Sequence, residues 1–207
     1  MDLLFNDIKN IYNELPIDRF PHILRVTNYA MKIGKHLKLN KDEMRIIILS
    51  SFLHDVGYKD QFSKNERGNH HIYSMEKAKK ELANSKLNEE EIEKILGVIK
   101  THGDYEGCEN IYQKILYDAD KLDKTSFTEV IRRALIYYDN SKFNDFEIYE
   151  KIKKRIKNDK FHFSFSKKIA EKNKKHLMKA IKIQNKINKE SYEAQNVIKN
   201  SLKDIFN

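Results

Sequence analysis

Apolar positions recur at helical spacing along nearly the whole chain. Ile23, Val26, Ala30, Ile33 and Leu37 advance by three or four residues, which predicts one buried face of a helix over about 20–38. Asn40 and Asp42 offer caps for a second helix at roughly 42–56. Met44, Ile46, Ile47, Ile48, Leu49, Phe52 and Leu53 make that helix apolar nearly all round, so it is expected at the centre of the core, with Gly57 as its C′ residue. Residues 58–69 are polar and read as irregular. Further helices are predicted over about 70–84, 89–102 (capped by Asn88) and 110–122. Val130, Ile131, Ala134, Leu135 and Tyr138 mark another beyond 125, followed by helices at 145–157 and 165–205. The last is long and amphipathic through Ile169, Leu177, Ile181 and Ile187. The expectation is an all-α fold, with a core over 1–124 and a helical extension over 125–207 packing on it.

Composition narrows the alternatives. Six Gly and two Pro among 207 residues are too few turn-formers for a β-sandwich or barrel. The single cysteine, Cys108, excludes a disulfide within the chain and reads as a small core or loop residue. Met1 to Asp7 shows no basic segment followed by an apolar one, so no signal peptide is expected. The longest apolar run, Ile46 to Leu49, falls far short of the roughly 18 residues a membrane span needs. The expectation is a cytoplasmic protein that does not enter a membrane.

The net charge of +9 is unevenly placed. Residues 1–140 hold 22 Lys+Arg against 23 Asp+Glu, whereas 141–207 hold 18 against 8. A basic C-terminal third could attract phosphates or nucleic acid. Its lysines are not interleaved with the aromatic or arginine-rich patterns of nucleic-acid modules, so a solvated lysine face is the preferred reading. The long 165–205 helix also offers a face on which a second copy of the chain could pack.

Against this background several histidines and aspartates fall in unexpected places. His54-Asp55 ends the most apolar helix, where an aspartate without a partner is costly. His22 continues the inward face of Val26, Tyr29 and Ile33, and His102 extends Ile92, Ile95 and Ile99 by another step of three. Asp118, Asp120 and Asp123 lie around the stripe of Ile115, Ala119 and Leu122. A satisfied core histidine is the commoner explanation of any one of these. Several together, with carboxylates on inward faces, point to a shared site for a divalent cation. Imidazole and carboxylate suit a hard or borderline ion rather than a thiophilic one.

The ordered set resembles the HD superfamily of metal-dependent phosphohydrolases. It comprises a histidine opening one helix (His22), a His-Asp doublet ending the next (His54, Asp55), a histidine on a third (His70 or His71), I-x-x-H on a fourth (Ile99 to His102) and D-A-D-K-L-D on a fifth (Asp118 to Asp123). The resemblance covers about residues 20–124 and is greatest to the small HD hydrolases of bacteria and archaea. It implies an HD-type helical bundle and metal ligands at His22, His54, Asp55 and Asp120, with Asp120 favoured over Asp118 because Leu122 stands two residues after it. It also implies His70 and His102 as contacts to a substrate phosphate or a second metal. Periodicity instead puts His71 on the core face with Met75, Ala78 and Leu82, but the family spacing selects His70 with Ser74 and Ala78. After the doublet the chain reads Val56-Gly57-Tyr58-Lys59-Asp60, without the Glu-Asp pair of the superfamily's single-metal nucleotidases.

The function so implied is hydrolysis of a phosphomonoester or phosphoanhydride, with a nucleotide as the leading substrate. The water would be activated by manganese, magnesium, iron, nickel or zinc, with a second ion possible. Asp55 or Asp123 would orient the water, a protonated His102 would assist the leaving group, and Lys121 is a candidate phosphate contact. The alternatives are a catalytically silent nucleotide-sensing module and a helical nucleic-acid-binding protein.

Overall fold

A computed structural model describes residues 19–63, 68–83, 85–128 and 157–206, together with Asn6, Lys9, Asn10, Tyr12 and Lys154. Among these residues all regular structure is helical. We number the helices α1 (Arg19–His36), α2 (Lys41–Leu53), α3 (Asp60–Ser63), α4 (His70–Leu82), α5 (Glu89–Thr101), α6 (Ile111–Lys124) and α7 (Ser164–Phe206). The helices predicted beyond 125 and at 145–157 fall almost entirely outside the described residues.

Helix starts follow from local chemistry. Asn40 caps α2 and Asn88 caps α5, each completing a capping box with the glutamate three residues on, Glu43 and Glu91. Each cap satisfies amide groups that the first helical turn leaves without partners. Helix α2 is central. Ile46 and Leu53 join a cluster with Ile23, Leu82, Ile95 and Ile99, while Ile47 joins another with Val26, Ile33, Ile115 and Leu122. That two-sided burial is what its all-round apolar sequence requires. Helix α1 packs against α2 and α6, and α4 packs against α5.

Helix α2 ends earlier than the apolar pattern suggests. Its last residue is Leu53, His54 is the C-cap, and residues 54–59 form successive turns closed by Val56 N–H to Leu53 O (3.1 Å) and Tyr58 N–H to Asp55 O (2.9 Å). Gly57 is therefore not a left-handed helix terminator. It is required because a Cβ there would stand 2.3 Å from the Ser74 nitrogen and the Tyr73 carbonyl carbon of α4. The polar stretch after it also holds the short helix α3, which its composition does not announce.

The chain divides into two compact units, one of residues 1–124 and 159–170, the other of 125–158 and 171–207. In the first unit, residues 159–170 belong with the bundle, although they lie within the 125–207 segment expected to form the extension. Phe161, Phe163, Phe165 and Ile169 pack against the cluster of Val26, Ile33 and Ile115, and His36 stacks on Phe165 with ring centroids 4.1 Å apart. In the second unit, α7 buries Leu177 and Ile181 and leaves Ile183, Ile187 and Tyr192 exposed.

Candidate metal centre

Five helices and one turn deliver the site. His22 comes from the first turn of α1, His54 and Asp55 from the end of α2 and the turn after it, His70 from the start of α4, His102 from the C-cap of α5 and Asp120 from α6. The contact of Gly57 with α4 draws the turn bearing Asp55 towards His70, and the Gly57 N–H donates to Ser74 Oγ at 3.0 Å.

Three of the histidines have the same internal arrangement. His54 Nδ1 lies 2.7 Å from Ser51 O, and His102 Nδ1 lies 2.6 Å from Ile99 O. A carbonyl oxygen can only accept, so both Nδ1 atoms carry the proton and both Nε2 atoms present a lone pair. His22 Nδ1 lies 2.7 Å from Asp123 Oδ2, with the same consequence while the carboxylate is ionised. The three Nε2 atoms then face a common space with two carboxylates. His22 Nε2 is 3.5 Å from Asp120 Oδ1 and 3.7 Å from Asp55 Oδ2, His54 Nε2 is 3.9 Å from Asp55 Oδ2, and His102 Nε2 is 3.8 Å from Asp55 Oδ1. Two overlapping groups result: His22, His54 and Asp120, and His54, Asp55 and His102, each with its ligand atoms within 4.8 Å of one another.

His54 Nε2 decides the fit of a cation. It is buried and has no hydrogen-bond partner. An orphaned polar atom in the interior is costly unless something accepts its lone pair. A divalent ion does that, and the surrounding imidazoles and carboxylates are its usual donors.

Electrostatics agree. Burial opposes the charge on Asp55, but the His54 imidazole, the Arg19 guanidinium and His22 hold its carboxyl far below the ordinary range. Asp120 is likewise held well below it against burial, by Lys124, His22 and His54. Burial lowers His54, and lowers both His70 and His102 to about 4. At neutral pH Asp55 and Asp120 are charged and His54, His70 and His102 are neutral, which are the forms that bind metal.

His70 and His71 part here. His70 Nε2 is 3.1 Å from His102 Nε2 and 3.5 Å from Asp55 Oδ1, whereas His71 meets the cluster through ring contacts with His70 and His102 at centroid distances of 5.9 and 6.5 Å. Because His102 Nε2 presents a lone pair, the proton in that contact is on His70 Nε2. Asp118 faces elsewhere. Its carboxylate accepts the backbone N–H groups of His162 (2.9 Å) and Phe163 (3.1 Å), so it receives the chain entering α7.

Three expectations change on this geometry. Asp123 is taken up elsewhere: Oδ2 accepts from His22 Nδ1, and Oδ1 accepts from Arg25 Nε at 2.6 Å, which places it behind His22. His102, neutral at physiological pH, offers a lone pair instead of a proton to a leaving group. Lys121 lies over the Tyr117 ring at 5.3 Å, and the lysine that pairs with Asp120 is Lys124. Sequence reading also missed Arg19, which donates to Asp55 Oδ2 at 2.7 Å and lies 3.4 Å over the Tyr58 ring, and Arg25. Arg19 and Arg25 both stand three residues from His22, a helical step that carried the signal.

The HD domain family matches residues 19–125. No curated protein matches the chain. Among solved structures, the chain is similar to a crystal structure of a predicted HD superfamily hydrolase from an uncultured Thermotogales bacterium. The two share 17% identity and a TM-score of 0.65, over 91% of this chain and 92% of the other. The family match covers the elements that deliver the histidines and aspartates, and the chain belongs to the HD-domain family.

Proposed function

We propose that the protein is a metal-dependent phosphohydrolase acting on a phosphomonoester or phosphoanhydride, with nucleotides the leading substrate class. One observation carries this reading: three imidazole lone pairs, each fixed by a proton on the opposite ring nitrogen, converge with two ionised carboxylates around the unpartnered His54 Nε2. His22, His54, Asp55 and Asp120 would hold the ion, and His102 with Asp55 offers a second, overlapping set. The name of the structurally similar Thermotogales protein, an HD superfamily hydrolase, is in keeping with this reading.

A bound divalent ion acidifies a water and offsets charge on a phosphoryl oxygen. The chain's own groups have separable tasks. Asp55 stays ionised, with Arg19 on Oδ2, so it would serve as an anionic ligand and as an acceptor that orients the O–H of a bound water. His70 carries its proton on Nε2, at the edge of the cluster and more exposed than His102, and would donate to a non-bridging oxygen in exchange for its contact with His102. His54 and His102 are held through carbonyls of the preceding turn, which orients both rings with Nε2 towards the cluster.

The test is elemental analysis of gently purified protein, then phosphate release from a panel of nucleotides with the native ion present. Stoichiometric metal with turnover, lost together in His54→Ala, supports the reading. Nucleotide binding without turnover would replace it with a sensing module. Salt-sensitive binding of nucleic acid with no phosphate release would favour the basic C-terminal third.

A further inference from the structure

Asp123 is the one carboxylate of the D-A-D-K-L-D run without a task in the metal centre or at the start of α7. It is 1% exposed, and both its oxygens are engaged. Oδ2 accepts the His22 Nδ1 proton at 2.7 Å. Oδ1 accepts from Arg25 Nε at 2.6 Å, and Arg25 Nη2 reaches Oδ2 at 3.3 Å. Arg25 follows His22 by three residues on α1, so the two side chains leave the helix on one face and Asp123 enters between them from α6. The guanidinium fork matches the plane of the carboxylate and offsets the cost of burying its charge.

This differs from the support of the other two rings. His54 and His102 donate to neutral carbonyls of their own helices, which local helix geometry supplies. His22 donates to a charged group on a different helix. A charge-assisted acceptor binds the Nδ1 proton more strongly and makes the opposite nitrogen a stronger electron donor.

We propose that Arg25 and Asp123 form a positioning pair that fixes His22 as its Nδ1–H tautomer and sets its strength as a metal ligand. The proposal rests on the metal reading above, but the tautomer can be read without any metal. Long-range nitrogen–proton NMR of the imidazoles, on the chelator-treated full chain, should show His22 protonated at Nδ1. In Asp123→Asn that preference should weaken.

In calorimetric titrations with manganese(II) and, in parallel, zinc(II), Asp123→Asn should bind about 10- to 100-fold more weakly than wild type. Arg25→Gln, at the more exposed end of the pair, should bind several-fold more weakly, with Arg25→Lys recovering part of the loss. Melting of the chelated variants separates this from general destabilisation, since the effect should lie in the metal-induced increment. His22 protonated at Nε2 in the wild type would overturn the pairing, as would Arg25→Gln binding both metals as tightly as wild type. Arg25→Gln decides the matter if Asp123→Asn does not fold. A wild type that takes up neither ion, yet shows the Nδ1–H tautomer and loses it in the variants, would overturn the metal reading and keep the pairing.

Discussion

Gly57 and Ser74 approach so closely that the Gly57 N–H donates to the Ser74 hydroxyl at 3.0 Å, and no side chain fits between the two backbones. This contact connects the turn that carries Asp55 to the helix that carries His70. Gly57→Ala would place a methyl group 2.3 Å from backbone atoms that cannot move without moving α4. The expected cost is about 1–3 kcal/mol of stability, together with weaker metal binding. Ser74→Ala, which removes only the acceptor, should cost about 1 kcal/mol. Thermal melting of the two variants checks the order, and a Gly57→Ala protein as stable as wild type would contradict it.

His54 is the member of the proposed ligand set with no substitute. Its Nε2 has no protein partner, and its ring is held by Ser51 O. His54→Ala should lose stoichiometric metal outright, a larger effect than the roughly 10–100-fold typical of outer partners. Elemental analysis after gel filtration reads the result; full metal content in the variant would exclude His54 as a ligand.

Asp118 and Asp120 stand two residues apart and should fail differently. Asp120→Asn should weaken metal binding, because Asp120 faces His22 and His54. Asp118→Ala should leave metal content intact while lowering stability by about 1–3 kcal/mol, since two partly buried backbone N–H groups lose their acceptor. Parallel titration and melting of the two variants make the comparison, and exchanged phenotypes would reverse the assignment.

Stability of the chelated protein should depend on pH with a definite sign. His70 and His102 are lowered to about 4 by burial, against roughly 6.5 in an unfolded chain. The unfolded state therefore takes up more protons between those values, and stability rises with pH across that window. Each shift corresponds to about 3 kcal/mol at most, and a proton on one ring of the pair disfavours one on the other. Asp118, pushed up to about 6 by burial, works in the opposite direction: its contribution is present at low pH and is lost as pH rises through about 6. Asp118→Asn should therefore steepen the rise. Denaturant unfolding at a series of pH values measures it, and a flat profile between about 4 and 6.5 would show that the two imidazoles are not buried as described.

The sequence alone determined the longer of the described helices, though not α3, and the residue types of the site. Spacing of three and four among Ile23, Val26, Ala30 and Ile33, or Ile92, Ile95 and Ile99, reports which face of a helix is buried, because side chains three and four apart share a face. The same periodicity carried His22 and His102 inward, and the capping asparagines marked the starts of α2 and α5. These are local properties, readable within one or two turns. Tertiary structure decided what each inward group meets. His70 and not His71 comes within 3.5 Å of Asp55 where α4 is seated against the turn at Gly57, a backbone contact that no periodicity encodes. Asp118, Asp120 and Asp123 look alike in sequence, yet one receives the entry to α7, one faces the donors and one braces His22 beside Arg25, because each points to a different neighbour around α6. The return of residues 159–170 to the bundle was hidden for the same reason. Which helix lies across from an apolar stripe depends on the whole packing arrangement, and that sets whether a buried carboxylate meets a group of imidazoles, backbone amides or a single ring.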